Sequence, residues 1–518
     1  MSAVVAAARL EVLGAASAPK GRVSGAYPTP SGLFEPYANY TTGSVPQAVA
    51  VGDVTGDGLN DVLLTTSFYF DAINDYKLFV FRQLPDGTLA APIRLVTMGT
   101  YANRPESVTI ADVNGDARND VLIGNSGAAI GVFYQNMSGG LEPVVLHATP
   151  DSKCVRVADL NDDGRSDIVG LGWGTSTVSV LLQQVDGTLA SPAVYWAPHS
   201  GYDDLEVGDL NHDGLTDVIA MSGQLSATPN VSVLYQSPSG TLGGLTSRSV
   251  GVPFQLTHGI GIGDVNTDGR NDIVASYGSY DLALFLQSSD GTLGVLPVTL
   301  PSSAGAGIPP RAVEVADVDG DGRDDVLVLH TGSALSVYQQ RAGGAFGPEE
   351  LDGIPHAGHV NPHGLAIGDI NHDGWPDVVI ANEDNGLVVL RHVPMTPRGY
   401  YPVPPCRVLD TRVVEGPIQA NTERTFTAAG SCGVPADAGA VAINVTAVNA
   451  GDLGDLRLYP AGAPMPLSST INFDTGRTRA NNAVISLGTG GGISVRCDMS
   501  IVSTASVHMV VDVYGYFR

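Results

Sequence analysis

Short apolar runs alternate with polar, glycine-rich turns along most of this 518-residue chain, and the alternation is periodic. An apolar run precedes a polar stretch (PQAVAVGD from Pro46, PRAVEVAD from Pro310, HGLAIGD from His363). A second run follows it (DVLLTTS, DVLVLHT, DVVIAN). A third ends in a glutamine-containing turn (LFVFRQLPDG, VSVLLQQVDG, LALFLQSSDG), and a fourth begins GTL (GTLAAPIRLV, GTLASPAVYW, GTLGVLPVTL). Runs this short, rich in Val, Ile and Leu and bounded by Gly and Asp, predict β-strands. Four antiparallel strands recurring about every fifty residues is the pattern of a propeller blade, a unit that buries its apolar faces only by stacking on its neighbours.

The polar stretch between the first two runs is a nine-residue motif written seven times. The copies are DVTGDGLND at Asp53, DVNGDARND at Asp112, DLNDDGRSD at Asp159, DLNHDGLTD at Asp209, DVNTDGRND at Asp264, DVDGDGRDD at Asp317 and DINHDGWPD at Asp369. Their first aspartates are 59, 47, 50, 55, 53 and 52 residues apart. Seven copies predict seven blades.

Each copy offers oxygen donors at positions 1, 3, 5 and 9 and a backbone carbonyl at 7. The first copy supplies Asp53, Thr55, Asp57, Leu59 and Asp61. The next three supply Asp112, Asn114, Asp116, Arg118 and Asp120; Asp159, Asn161, Asp163, Arg165 and Asp167; and Asp209, Asn211, Asp213, Leu215 and Asp217. The last three supply Asp264, Asn266, Asp268, Arg270 and Asp272; Asp317, Asp319, Asp321, Arg323 and Asp325; and Asp369, Asn371, Asp373, Trp375 and Asp377. Carboxylates this close repel one another unless a hard cation lies between them, and calcium takes about six to eight oxygens in flexible geometry. Plain Asx turns without metal are the alternative, and sevenfold recurrence weighs against it. Up to seven calcium ions are therefore expected. Their role is expected to be structural, since the loop fills its own ligand set. The motif is not an EF-hand: position 12 is apolar (Leu64 in the first copy), where an EF-hand needs a bidentate Glu. Position 6 is Gly in six copies and Ala117 in the second, where strain is expected.

The seventh repeat has first, second and third strands (from Leu365, from Val378 and Leu387–Arg391) but then runs into VPMTPRGYY, with no fourth strand. SGLFEPYANYTT, from Ser31, looks like GTLAAPIRLVTM from Gly87. It is expected to pair as the outer strand of the last blade, which removes the exposed edges of an open array. The expected division is an N-terminal extension over 1–30, the propeller over 31–393, a linker over 394–400 and a C-terminal domain over 401–518. That domain is also strand-like (AVAINVTAV, DLRLYP, VHMVVDVYGYF), a β-sandwich or related barrel. The fold class is thus all-β.

Motif, period and count together resemble the FG-GAP/VCBS repeats of integrin α-subunit-like propellers over residues 31–393. The resemblance implies a seven-bladed propeller with calcium in the loops between the first two strands of each blade. It also implies a role in adhesion, in carbohydrate or protein binding, or as a scaffold. The tail (CRVLDTR from Cys406, STINFDTGRTRANNAVISLG from Ser469, VHMVVDVYGYF from Val507) resembles a β-domain at the C-terminus of secreted bacterial repeat proteins.

The net charge of −27, from 26 basic and 53 acidic residues, comes largely from the loops. Such acidity speaks for metal ligation and solubility and against nucleic-acid partners. Three of four cysteines fall in the last 113 residues, so a disulfide is expected there, between Cys406 and Cys432, with Cys154 a buried free thiol on an inner strand. No run is long and apolar enough for a membrane-spanning helix. The opening MSAVVAAARLEVLGAASAPKGRV, broken by Arg9 and Glu11, is a poor secretory signal. An extracellular or cell-surface address is still expected, because calcium sites of modest affinity fill only outside the cytosol.

The residue six before each first aspartate is expected at the mouth of a central channel: Gln47, Glu106, Lys153, Asp203, His258, Arg311 and His363, read as solvated or as a polar ligand ring. The connection between the second and third strands is expanded in the first blade (SFYFDAINDYK) and carries Phe68, Tyr69, Phe70 and Tyr76. Trp173, Trp196, Tyr202 and Tyr277 are expected on the same face, either packed between blades or available for sugars or proteins. HAGHVNPH places His356, His359 and His363 as an alternative transition-metal cluster. No GxSxG, HExxH or phosphate-cradling loop occurs, so no catalytic residues are assigned. The leading expectation is an adhesion or recognition module for a glycan or protein surface. A structural subunit of an extracellular filament or surface assembly, binding copies of itself, is the first alternative. A carbohydrate-active enzyme is the second.

Overall fold

The computed structural model describes residues 31–517 apart from 101–102, 198–200, 223–229, 251–257, 278–280, 303–308, 359–360, 394–399, 437 and 464. The chain divides into two compact units, Met1–Pro394 and Met395–Arg518.

In the first unit, seven four-stranded antiparallel sheets follow one another. Sheet one shows the plan: Pro46–Gly52, Asp61–Thr66, Lys77–Phe81 and Ile93–Val96, in that order from inside to outside. The second and third strands are almost wholly buried, whereas the fourth is largely exposed. This follows from stacking. An inner strand is covered on both faces, so it must be apolar at successive positions rather than at alternate ones.

Seven apolar cores hold the sheets together, each lying between two neighbours. Leu63, Leu78, Val121 and Phe133 join sheets one and two. Leu327, Leu335, Val378 and Val388 join six and seven. Leu64, Phe79, Val379 and Leu387 join seven back to one, which closes the ring. Sheet seven takes its outer strand from the start of the described chain: Ala38–Tyr40 pairs antiparallel with Gly386–Leu390, Ala38 opposite Val389. The arrangement is that of a β-propeller, in which radial stacking leaves only short strand edges toward the axis.

The second unit has two antiparallel sheets over one core. Tyr400–Asp410, Ser506–Phe517, Ala440–Val448 and Arg479–Ser486 lie side by side in one sheet, with Ile418–Gln419 added to it. Glu423–Thr427, Gly492–Met499, Gly454–Pro460 and Ile471–Phe473 form the other. Ile443, Val511, Leu456 and Val495 are among the buried side chains between them. Cys406 and Cys432 are joined by a disulfide; Cys154 and Cys497 are buried free thiols.

Candidate functional site

Each nine-residue motif forms the loop between the first and second strands of its sheet. Position 1 organises the loop. The Asp53 carboxylate accepts the N–H groups of Thr55, Gly56 and Gly58 at 3.1, 2.6 and 2.8 Å. Position 5 accepts the N–H of position 7, as Asp57 does from Leu59 at 3.0 Å.

Position 9 does something the sequence did not reveal. Asp61 is fully buried; its Oδ2 accepts the Val54 N–H at 3.2 Å and its Oδ1 accepts the Gln83 N–H at 3.0 Å. The second bond recurs in all seven sheets, from Gln135, Gln183, Gln236, Gln287, Gln340 and His392 to the corresponding aspartates. Position 9 therefore ties the loop to the end of the third strand. The recurring glutamine was the available signal.

Position 6 has left-handed backbone in every copy, including Ala117 at φ 63°. Position 4 is left-handed as well, and four copies place a non-glycine residue there: Asp162, His212, Thr267 and His372. For the β-branched Thr267 this is a strained conformation.

The donor chemistry fits a hard cation. Burial pushes the position-9 carboxyl of Asp61 up to about 6, and repulsion from Asp57 adds to this against the two backbone bonds. Asp120, Asp167, Asp217, Asp325 and Asp377 are likewise pushed up to about 6, and Asp272 to about 7, each by burial first. In the sixth loop, oxygens of Asp317, Asp319 and Asp325 all lie within 4.8 Å of one another. Crowded, buried, mutually repelling carboxylates are what a bound cation would relieve.

Four loops carry a partial substitute. Arg118, Arg165, Arg270 and Arg323, at position 7, pair with the position-5 carboxylates of Asp116, Asp163, Asp268 and Asp321. Each also donates Nε–H to the carbonyl of Gln135, Gln183, Gln287 or Gln340. From the motif alone, position 7 offers only its carbonyl. Leu59, Leu215 and Trp375 offer no such compensation. The Trp375 ring instead stacks on His392, centroids 4.9 Å apart.

The loops also join neighbouring sheets. Asn119 Nδ2 donates to the carbonyl of Asp53 at 2.9 Å, and Asn60 Nδ2 to that of Asp369 at 3.0 Å. In sheets one to six, the turn between the third and fourth strands presses against the loop of the preceding sheet; sheet seven, whose fourth strand comes from Ala38–Tyr40, has no such turn. A Cβ at Gly139 would lie 2.2 Å from the Thr55 carbonyl oxygen, and one at Gly344 2.0 Å from that of Asn266, so both turns need glycine.

The expected channel mouth is corrected by the structure. Gln47, Glu106, Asp203, His258 and His363 are buried, and the Lys153 side chain is 13% exposed, so this ring is not a wet opening. The ring carries both signs, and five of its members, Glu106, Lys153, Asp203, His258 and Arg311, contact one another. Lys153 Nζ lies 3.1 Å from Asp203 Oδ1 and 3.7 Å from Glu106 Oε2. His258 Nδ1 lies 3.4 Å from Asp203 Oδ2, and the Arg311 guanidinium contacts the other side of the same imidazole. Three residues along the same strands, Arg156 donates from Nε to Glu206 Oε1 at 2.8 Å. Burial pushes Asp204 and Glu314 up to about 8, with repulsion from Glu206 adding and Arg156 opposing.

The aromatic loop of sheet one lies at the other end of the strands from the nine-residue loops. Tyr69 and Phe70 are 69% and 89% exposed. The loop is held from beneath by the buried Asp75 carboxylate, which accepts the Ser44 hydroxyl at 2.5 Å and the N–H groups of Tyr69 and Asp71 at 2.9 and 3.0 Å. Phe70 and Tyr76 have left-handed backbone, φ 62° and 53°. The Phe68 ring lies 4.3 Å from Phe70 and 6.2 Å from Tyr76 between centroids. A cavity of about 460 Å³ opens here, lined by Phe68, Phe70, Tyr76, Lys77 and Val96 among others. Trp173 and Trp196 are exposed on sheet three, while the side chains of Tyr202 and Tyr277 lie outside the described residues. The histidine cluster does not form among the described residues: His356 is exposed beside Asp384, His363 is buried on the axis, and His359 lies outside the description. An exposed position on the outer strand of sheet six (Glu350–Ala357) and a residue on the axis cannot converge.

Comparison with known proteins matches five segments, residues 53–123, 112–170, 159–220, 264–328 and 317–380, to the FG-GAP-like repeat. Each segment runs from one loop through the next, so all seven loops fall within matched residues, and the segments together span more than half of the chain. Mouse integrin alpha-IIb is 31% identical over 162 residues, which is 26% of this chain and 16% of that protein. The chain thus spans about a sixth of the length of that curated relative. Among solved structures, the crystal structures of BBS1N in complex with ARL6DN, soaked with mercury or with lead, align with TM-score 0.47. They are 14% and 13% identical and cover 68% and 70% of this chain and 94% and 97% of theirs.

Proposed function

The chain belongs to the FG-GAP-like repeat family, and from that premise we propose an extracellular recognition module: a seven-bladed propeller, stabilised by calcium in its seven loops, that binds a protein or glycan surface. Bound calcium would supply charge balance for carboxylates that otherwise repel. Aspartates at positions 1, 5 and 9, with Thr55, Asp319 or Asn at position 3, would hold it, and position 9 would carry its effect to the third strand. Because each loop also touches the next sheet, calcium would stiffen the whole ring.

The observation that carries the recognition reading is the aromatic loop. Exposed Tyr69 and Phe70 are costly for a soluble surface, yet the loop that presents them is pinned by three bonds to Asp75. Rigid aromatic side chains give large contact area at low entropic cost, and backbone strain concentrates at binding sites.

The test is binding of the full chain to glycan and protein arrays in millimolar calcium, with chelator and with the Tyr69→Ala/Phe70→Ala pair as comparisons. Calcium-dependent binding weakened about 30-fold in the double variant, a typical loss for anchoring aromatics, is expected. Binding unchanged by both would overturn the reading. One observation favours self-assembly as a second reading: Arg479–Ser486 is an exposed edge strand of the second unit, paired on one side only, and such edges template addition of another strand.

A further inference from the structure

We propose that Cys154, Asp204 and His363 form a transition-metal site on the axis of the first unit, of the class that takes zinc. The three reach the axis from three sheets. Cys154 opens the first strand of sheet three (Cys154–Ala158), Asp204 lies in the first strand of sheet four (Tyr202–Gly208), and His363 shortly precedes that of sheet seven (Leu365–Gly368). Their exposures are 0%, 2% and 4%. His363 Nε2 lies 3.1 Å from Cys154 Sγ and 3.5 Å from Asp204 Oδ1, and the donor atoms of all three fall within 4.8 Å of one another.

One thiol sulfur, one imidazole nitrogen and one carboxylate oxygen make a borderline-soft donor set. It suits zinc or cobalt and is unlike the all-oxygen set of the seven loops. Three protein donors leave a fourth position for water. The local charge also favours a cation. Asp204, Glu206 and Glu314 place three carboxylates around the single guanidinium of Arg156. Glu206 and Glu314 are half-buried. A divalent ion would offset the excess.

Proton positions change on binding. Arg156 Nη2 lies 3.0 Å from His363 Nδ1, so without metal it donates to that nitrogen and the ring proton sits on Nε2. A metal on Nε2 requires that proton to move to Nδ1. Arg156 then turns to the carboxylates of Glu206, which it already holds, and Glu314. The Cys154 S–H, 3.3 Å from the Asp203 carbonyl, is lost to solvent as the thiolate forms. Because the site is buried, metal enters as the chain folds.

The experiment uses the full chain produced in cobalt-supplemented medium and dialysed into calcium buffer. About one cobalt per chain is expected, with a sulfur-to-cobalt charge-transfer band and visible bands of tetrahedral cobalt. Cys154→Ser should abolish the charge-transfer band and Cys497→Ser should leave it, since Cys497 lies in the other unit. His363→Asn, which keeps the thiol, provides the same reading should Cys154→Ser not fold. Folded wild-type protein without cobalt or without the thiolate band overturns the proposal, as does a band that survives both axial variants.

Discussion

Seven loops and seven axial positions flank the first strands at opposite ends, and the chain treats them oppositely. Positions 1, 5 and 9 of the loops are aspartate in every copy, whereas the residue six before each loop is Gln, Glu, Lys, Asp, His, Arg or His. Geometry explains the contrast. The loops are spread around the rim, so each solves the same local problem and one solution is repeated. The axial side chains converge, and seven identical charges there would repel. Convergence demands mixed signs, and Lys153 with Asp203 and Arg156 with Glu206 are the result. Repetition marks the scaffold here, and the departures from it mark what is particular to this chain.

The strongest way to break that comparison is Arg156→Ala. Removing the cation leaves enclosed carboxylates without a partner, at an expected cost of about 3–5 kcal/mol. A denaturation midpoint shift worth under about 1 kcal/mol would mean that the axis tolerates change as a solvated surface does. Asp325→Ala tests the rim. It strands the buried N–H groups of Val318 and Gln340, at about 1–3 kcal/mol each, and the loss should persist in chelator. A loss seen only with calcium present would make position 9 a metal ligand and nothing more.

How far the sequence revealed the molecule follows the same division. Sevenfold Asp at fixed positions outweighed any single-turn explanation, and the apolar runs beside it exposed the four-strand unit. Ala117 stood out because six companions were glycine. The left-handed conformation at position 4 was hidden, because Asp162, His212, Thr267 and His372 occupy it alongside three glycines. The axis was illegible for a deeper reason: Cys154, Asp204 and His363 meet only because the ring closes, across 209 residues between the first and the last. Burial of the ring could not be read from polar residues at strand starts, which are usually exposed.

The pH dependence sharpens the loop side. Position-9 carboxyls are pushed up to about 6, and to about 7 at Asp272, from an ordinary value near 3.8. In chelator, their contribution favours the fold fully below pH ~4, where folded and unfolded chains are both protonated. It is lost as pH rises through 6 to 7. Calcium competes with those protons, so its stabilising effect should grow over the same window. Melting curves in calcium and in chelator between pH 5 and pH 8 (a range of about three units around these values) should diverge as pH rises; parallel curves would remove position 9 from the ligand set. The smallest expected effect is a gain: Ala117→Gly relieves the left-handed alanine and should add about 1 kcal/mol, whereas Gly164→Ala at the matching position of the next loop should lose a similar amount.

The most direct measurement of the central claim is thermal unfolding of the full chain in millimolar calcium against chelator. Saturation at 100 times Kd adds about 2.7 kcal/mol per site, and the first unit holds seven loops. The account predicts that chelator lowers the transition of the first unit by many degrees and leaves that of the second unit, which has no such loop, in place. Superimposable curves with and without calcium would contradict it.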